Sequence, residues 1–172
     1  MSMKLSEEEK LELEGLYQYF LHDAKVQRMK AIPMHFGGNC YDHSFKVAKL
    51  AISRAIKYHK RVDVHSLLIA SILHDYYLYN WREEKKLKKL HGHRHPYIAA
   101  QKAEEDFHIT PLCKKIIESH MWPLNILEFP KTKEARMLSL ADKWIATKEM
   151  LTSTKYKKKR EEKTSQFISK LF

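Results

Sequence analysis

Glycine and proline are scarce in this chain, at 4 and 5 of 172 residues, and cysteine is scarcer still at 2. So few turn formers, with no run of alternating β-branched residues, exclude a turn-rich β-sandwich or barrel. Cys40 and Cys113 form no CxxC pair, which excludes a disulfide framework and a thiolate zinc site and suits a reducing compartment. No apolar run is long enough to cross a bilayer. The opening residues MSMKLSEEEK carry acidic groups where a signal peptide has its apolar core, so the expected location is cytoplasmic, away from membranes. Acidic residues are also in deficit, 21 against 32 basic, for a formal charge of +11.

What remains is dominated by Leu, Lys, Glu, Ala and Ile, a helix-forming set. With 44% hydrophobic residues over 172 positions, the expectation is one all-α domain with a buried core. The positive charge concentrates at Lys85 to Lys89 and Lys155 to Arg160. A basic balance attracts phosphate-bearing ligands or nucleic acid, although each cluster alone reads as solvated surface.

The punctuation predicts the helices. Ser6 and Glu9 form a capping box for a helix over 6–30, with Leu13, Leu16, Tyr17, Phe20 and Leu21 at helical spacing. Its adjacent His22 and Asp23 sit among polar positions and read as a chance pair. Ile32 to Cys40 is a loop, Asn39 or Asp42 caps a helix reaching about His59, and Asp63 caps the next. REEKKLKKL, after Trp81, predicts a short exposed helix or a lid. Thr110 caps a helix with Pro111 first, MWPLNILEFP ends it, and another begins near Lys133. The basic tail closes on FISKLF, read as an amphipathic helix able to dock on a partner.

Metal-binding residue types recur on the apolar faces of these helices. His43 shares a face with Val47, Leu50 and Ala51, and His74 with Leu67, Ala70 and Ser71, directly before Asp75. His95 precedes Pro96, which predicts an N-terminal cap above Ala99 and Ala103, with His91, His93 and Arg94 in the loop before it. His120 ends the stripe of Cys113, Ile116 and Ile117, and Asp142 lies with Leu138, Ile145 and Ala146. Burying any one of these is costly without a partner. Six together, from five helices, predict a site for one or two divalent transition metals: iron, manganese, nickel or zinc, with magnesium admissible. A second ion would share the carboxylate of Asp75.

The order His, His-Asp, His, His, Asp, carried by YDHS, LHDYY, RHPYIAA, ESHMWP and LADKWIA, resembles the HD-domain metal-dependent phosphohydrolase superfamily over His35 to Met150. The resemblance implies a single HD-type helical bundle over 1–172, with its core at 35–150, an N-terminal helix at 6–30 and a basic tail at 151–172. It also implies hydrolysis of a phosphate ester or anhydride. Tyr76, Tyr77 and Leu78 replace the residues that follow HD in cyclic-di-GMP hydrolases of the HD-GYP type, and the glutamate of the small mononuclear nucleotidases is missing too. The general likeness is to small stand-alone bacterial HD proteins. On this reading His43, His74, Asp75 and Asp142 hold one metal, and Asp75, His95 and His120 a second. Lys46, Arg94 or Lys143 neutralises charge on phosphorus, and His91 is a candidate proton donor. Tyr76, Tyr77 and Trp122 form either an aromatic wall for a base or core packing. The expected partner is a small phosphorylated substrate, a nucleotide first, with nucleic acid less favoured and oligomeric state unassigned. Two alternatives share the residues: a diiron oxygenase of the HD type, and a non-enzymatic module binding nucleotide or nucleic acid.

Overall fold

The computed structural model describes residues 5–58, 62–83 and 90–168, with side chains at 5–57, 62–83 and 90–153. Its helices are α1 (Glu7–His22), α2 (Ala24–Gln27), a 3-10 turn (Arg28–Ala31), α3 (Cys40–Tyr58), α4 (Val64–Leu73), α5 (His91–Phe107), α6 (Pro111–Glu118) and α7 (Lys133–Ile168). No strand occurs among the described residues, so the fold is all-α. No helix among them is long and apolar enough to cross a membrane.

The bundle is built around α4. Eight of its ten residues are buried, Leu67, Ala70, Ile72 and Leu73 completely. A short helix that is apolar all round has to be enclosed by others, and α4 packs on α1, α3, α5, α6 and α7. Its start is fixed by Asp63, which accepts hydrogen bonds from the Ser66 amide (2.9 Å) and hydroxyl (2.7 Å). The Asp63 amide in turn donates to Glu134 of α7 (2.9 Å). Tyr76 and Tyr77, directly after α4, are buried, so they read as core packing. The Tyr76 hydroxyl donates to Asp106 (2.8 Å), and that of Tyr77 lies 3.1 Å from Cys40 Sγ.

Several boundaries differ from expectation. The Ser6–Glu9 capping box forms, but the helix predicted to reach residue 30 stops at His22. Asp23 is extended (φ −64°, ψ 128°), and its carboxylate accepts from the amides of Lys25 and Val26, restarting the chain as α2. A short side chain competing for backbone amides makes Asp a cap rather than an interior residue. The basic tail is no separate closing helix: α7 runs unbroken to Ile168, across a stretch with no glycine or proline. The expected exposed helix or lid falls largely on 84–89, and His59 and the last residues of FISKLF also lie outside the described residues.

The largest correction concerns His95. It is not an N-cap, and His91, His93 and Arg94 are not in a connecting loop, because α5 already begins at His91. The amides of His93 and Arg94 bond to the Leu90 carbonyl (3.1 and 3.0 Å), closing the first turn before Pro96 is reached. Pro96 is thus the sixth residue of α5, where it lacks the amide that would bond to the Gly92 carbonyl.

The hub and its cap are testable by urea unfolding. Leu67→Ala is expected to cost about 2–5 kcal/mol, the range for a fully buried leucine. Asp63→Ala is expected to cost about 0.5–2 kcal/mol, the range for a lost N-cap.

Candidate metal centre

The six predicted ligand residues converge. They form three overlapping groups that could hold a metal ion: His43, His74 and Asp75; His74, His120 and Asp142; and Asp75, His95 and His120. Within each group the ligand atoms lie within 4.8 Å of one another, and all six residues are buried.

Helix ends set the orientation of two imidazoles. α4 stops at Leu73 and α6 at Glu118, leaving carbonyls without intrahelical partners. His74 Nδ1 lies 2.8 Å from the Ser71 carbonyl, and His120 Nδ1 lies 2.7 Å from that of Ile117. On α5, His95 Nδ1 is 2.9 Å from the His91 carbonyl. A carbonyl only accepts, so each Nδ1 carries the hydrogen and each neutral ring turns a bare Nε2 lone pair inward. The negative dipole ends of α4 and α6 add to the attraction for a cation there.

That arrangement is poorly satisfied by protein atoms alone. His95 Nε2 and His120 Nε2 are 3.0 Å apart, lone pair against lone pair when both rings are neutral. His74 Nε2 is buried without a hydrogen-bond partner; the nearest oxygens of Asp75 and Asp142 are 3.5 and 3.7 Å away. Asp75 Oδ1 lies 3.3 Å from His95 Nε2 and 3.9 Å from His120 Nε2. Imidazole and carboxylate donors this close, with donors left over, fit a divalent transition metal.

His43 is held differently. Its Nε2 meets Asp142 Oδ1 at 3.0 Å, and its Nδ1 meets Glu149 Oε2 at 2.9 Å. A carboxylate behind a histidine fixes the ring and raises its basicity towards a metal. Glu149 was missed in the sequence, although it lies two turns past Asp142 on the same helical face, where counting by sevens finds it. Ser139 and His35 were missed as well. Ser139 donates to the His120 carbonyl (2.9 Å), again from the Asp142 face. His35 packs at a tilt against Trp81 (4.2 Å between ring centres) and feels the charges of Asp75 and His95, but it sits in a loop without periodicity.

The other predicted site residues are placed as follows. Lys46 is exposed and pairs with Glu149 (2.8 Å), on the outer side of His43. Lys143 is half-buried and donates to the His120 carbonyl (2.9 Å) and Ser139 Oγ (2.7 Å), so it ties the turn carrying His120 to α7. Arg94 is exposed, and its guanidinium makes no hydrogen bond or ion pair among the described residues. His91 is buried, stacked on His95 (4.7 Å), with Nδ1 2.9 Å from the Tyr79 hydroxyl. Burial and the neighbouring His95 lower its pKa to about 4, so at neutral pH it is an uncharged ring. Trp122 packs edge-on to Phe129 (5.4 Å), so the expected aromatic wall is not assembled with Tyr76 and Tyr77.

Protons serve as the counter-charge of the metal-free cluster. Burial opposes a charge on His43, but its bonds to Asp142 and Glu149 prevail and push its pKa up to about 10. His74 is raised likewise: burial is outweighed by Asp75 and Asp142. Burial would raise Asp75, but His74 and His95 hold it far below the usual carboxylate range. His120 is lowered to about 3 by burial and by His74 and His95.

A stability profile follows from these shifts. His43 holds its proton more tightly when folded, so its contribution is complete below 6.5 and is lost as pH rises through about 10. His120 and His91 hold theirs less tightly, so their contributions exist above 6.5 and are lost as pH falls towards about 3 and 4. The metal-free protein should therefore show its highest Tm near pH 6.5, falling on both sides. With a divalent cation bound the alkaline fall should vanish, because His43 has by then released its proton. Thermal melts from pH 4 to 10, with and without metal, check this; a metal-free maximum above pH 9 contradicts it.

No curated protein and no solved structure matches the chain. The sequence pattern of the HD domain family matches residues 40–147, which takes in all six converging residues and stops just short of Glu149. Most members of that family are metal-dependent hydrolases. With a match over more than half of its length and the His/Asp cluster assembled inside it, this chain belongs to the HD domain family.

Proposed function

We propose that this protein is a metal-dependent phosphohydrolase that cleaves a phosphate ester or anhydride of a small metabolite, nucleotides being the first class to try. The observation that carries the proposal is the convergence of three oriented Nε2 atoms on the Asp75 carboxylate. When bound, a divalent cation there supplies a Lewis acid that activates water and offsets charge on phosphoryl oxygens.

The chain's own groups perform the rest. Asp75 faces both halves of the cluster, Oδ2 towards His74 (3.5 Å) and Oδ1 towards His95 (3.3 Å), which supports a two-ion site with this carboxylate shared. His43, His74 and Asp142 complete one half, His95 and His120 the other. Imidazole-rich donors favour iron, manganese, nickel or zinc over magnesium. Ser71, Ile117, His91 and Glu149 keep the Nδ1 protons outside the cluster, so metal binding does not cost ring reorientation. Lys143 and Ser139 hold the His120 turn in register with Asp142, a positioning role. Arg94, on the first turn of α5 and with no side-chain partner among the described residues, is the predicted cation most available to a phosphoryl group. The +11 charge favours encounter with anionic substrates.

The test is metal content and phosphate release for wild type, Glu149→Ala and Asp75→Ala against mono-, di- and cyclic nucleotides and sugar phosphates. Glu149→Ala is expected to lose about 10–100-fold in metal affinity or activity, as for other supporting partners of metal ligands. Asp75→Ala is expected to lose more than that. Wild type that binds no metal and releases no phosphate would sink the proposal, and oxygen consumption without phosphate release would assign the site to an oxygenase.

A further inference from the structure

Beside the metal centre, the loop between α6 and α7 holds large apolar side chains in solvent. Leu124 is 50% exposed, Ile126 75% and Leu127 93%. Single exposed leucines are ordinary, but several on one fixed loop mark a binding surface. This loop is fixed to α5. Asn125, itself buried, takes a hydrogen bond from His93 Nδ1 (2.7 Å) and donates its amide to the His93 carbonyl (3.1 Å). The Tyr97 hydroxyl donates to Glu128 (2.9 Å). Gly92 allows the closest approach: a methyl group there would come within 2.8 Å of Leu124 Cδ2.

Between the loop and α7 lies a cleft of about 500 Å³, lined by Met121, Pro123, Leu124, Asp142, Lys143 and Ala146. Its walls are aliphatic except for Asp142 and Lys143. Asp142 also belongs to the group with His74 and His120 that could hold a metal, so the cleft and the donor cluster share this residue. Lys143 Nζ is already engaged by the His120 carbonyl and Ser139. A nucleobase or sugar would bring polar edges to these walls and leave them unbonded, at a cost. A hydrocarbon would not.

We propose that this cleft receives the leaving group, and that the substrate is a phosphate monoester of an alcohol bearing an apolar chain or ring. The proposal rests on the phosphohydrolase reading above and narrows it. In the reaction the oxygen of water bonds to phosphorus and the ester P–O bond breaks. The alkoxide leaves with the bonding pair and takes one proton from that water, giving the free alcohol and inorganic phosphate with no change of oxidation state.

The experiment uses the full, metal-loaded chain with n-alkyl phosphates from methyl to octyl, measuring kcat/KM, and calorimetric binding of the matching alkylphosphonates, which are not hydrolysed. Each added methylene should tighten phosphonate binding about fourfold until the cleft is filled, with kcat/KM rising in step. Leu124→Asn, at a half-exposed position, and Ala146→Trp, which fills the cleft, should both flatten that dependence. Phosphate release with no dependence on chain length overturns the cleft proposal and leaves the hydrolase reading intact. No phosphate release from any ester overturns both. A flat alkyl series together with vesicle binding that Leu124→Asn abolishes assigns the loop to a bilayer and also overturns the proposal.

Discussion

The pairing of one ring nitrogen with a backbone carbonyl, repeated at His74, His95 and His120, is the constraint on which the rest of the site depends. A carbonyl cannot donate, so each pairing settles the tautomer and leaves a lone pair on the opposite nitrogen. Two of these carbonyls, of Ser71 and Ile117, sit in the last turns of α4 and α6, where helix geometry leaves acceptors unfilled. The termini of ordinary helices thus become the scaffold of a donor cluster, and their dipoles reinforce it. The 3.0 Å approach of His95 Nε2 to His120 Nε2 is tolerable only if something positive, a proton or a cation, lies between the lone pairs and the nearby carboxylates.

Such a cluster needs a rigid surround, and the fold supplies it from the inside. α4 is enclosed on all sides, so His74 and Asp75 leave it at a point set by packing. α7 then serves several donors at once from successive turns of one face. Ser139 and Lys143 hold the His120 turn, Asp142 faces the cluster, and Glu149 braces His43 from behind. The chain Lys46–Glu149–His43–Asp142 continues from solvent to the centre, so the lysine acts through the carboxylate it pairs with.

The residues that converge were legible in the sequence because burial of a polar side chain disturbs an apolar stripe, and His43, His74, His120 and Asp142 each disturb one. The helical class followed from composition, and the caps at Ser6, Asp63 and Thr110 formed where read. Less was legible where two local rules compete. Pro96 suggested a helix start, yet the turn before it was already closed by Leu90, and Asp23 inside a helical pattern acted as a cap. Partners distant in sequence were invisible: nothing near Lys46 announces Glu149, 103 residues on. The pairings of Lys46 with Glu149 and of Lys143 with the His120 carbonyl and Ser139 are likewise created only by the assembled helices.

The most direct test of the central claim is a two-bond histidine ¹⁵N–¹H spectrum of the metal-free protein, followed through a titration with zinc. The account predicts that His74 and His95 carry their fixed hydrogen on Nδ1 throughout, that His120 is a neutral Nδ1–H ring at pH 7, and that the Nε2 resonances of all three shift together and saturate with metal. Spectra showing Nε2–H tautomers at these histidines, unmoved by zinc, would contradict it.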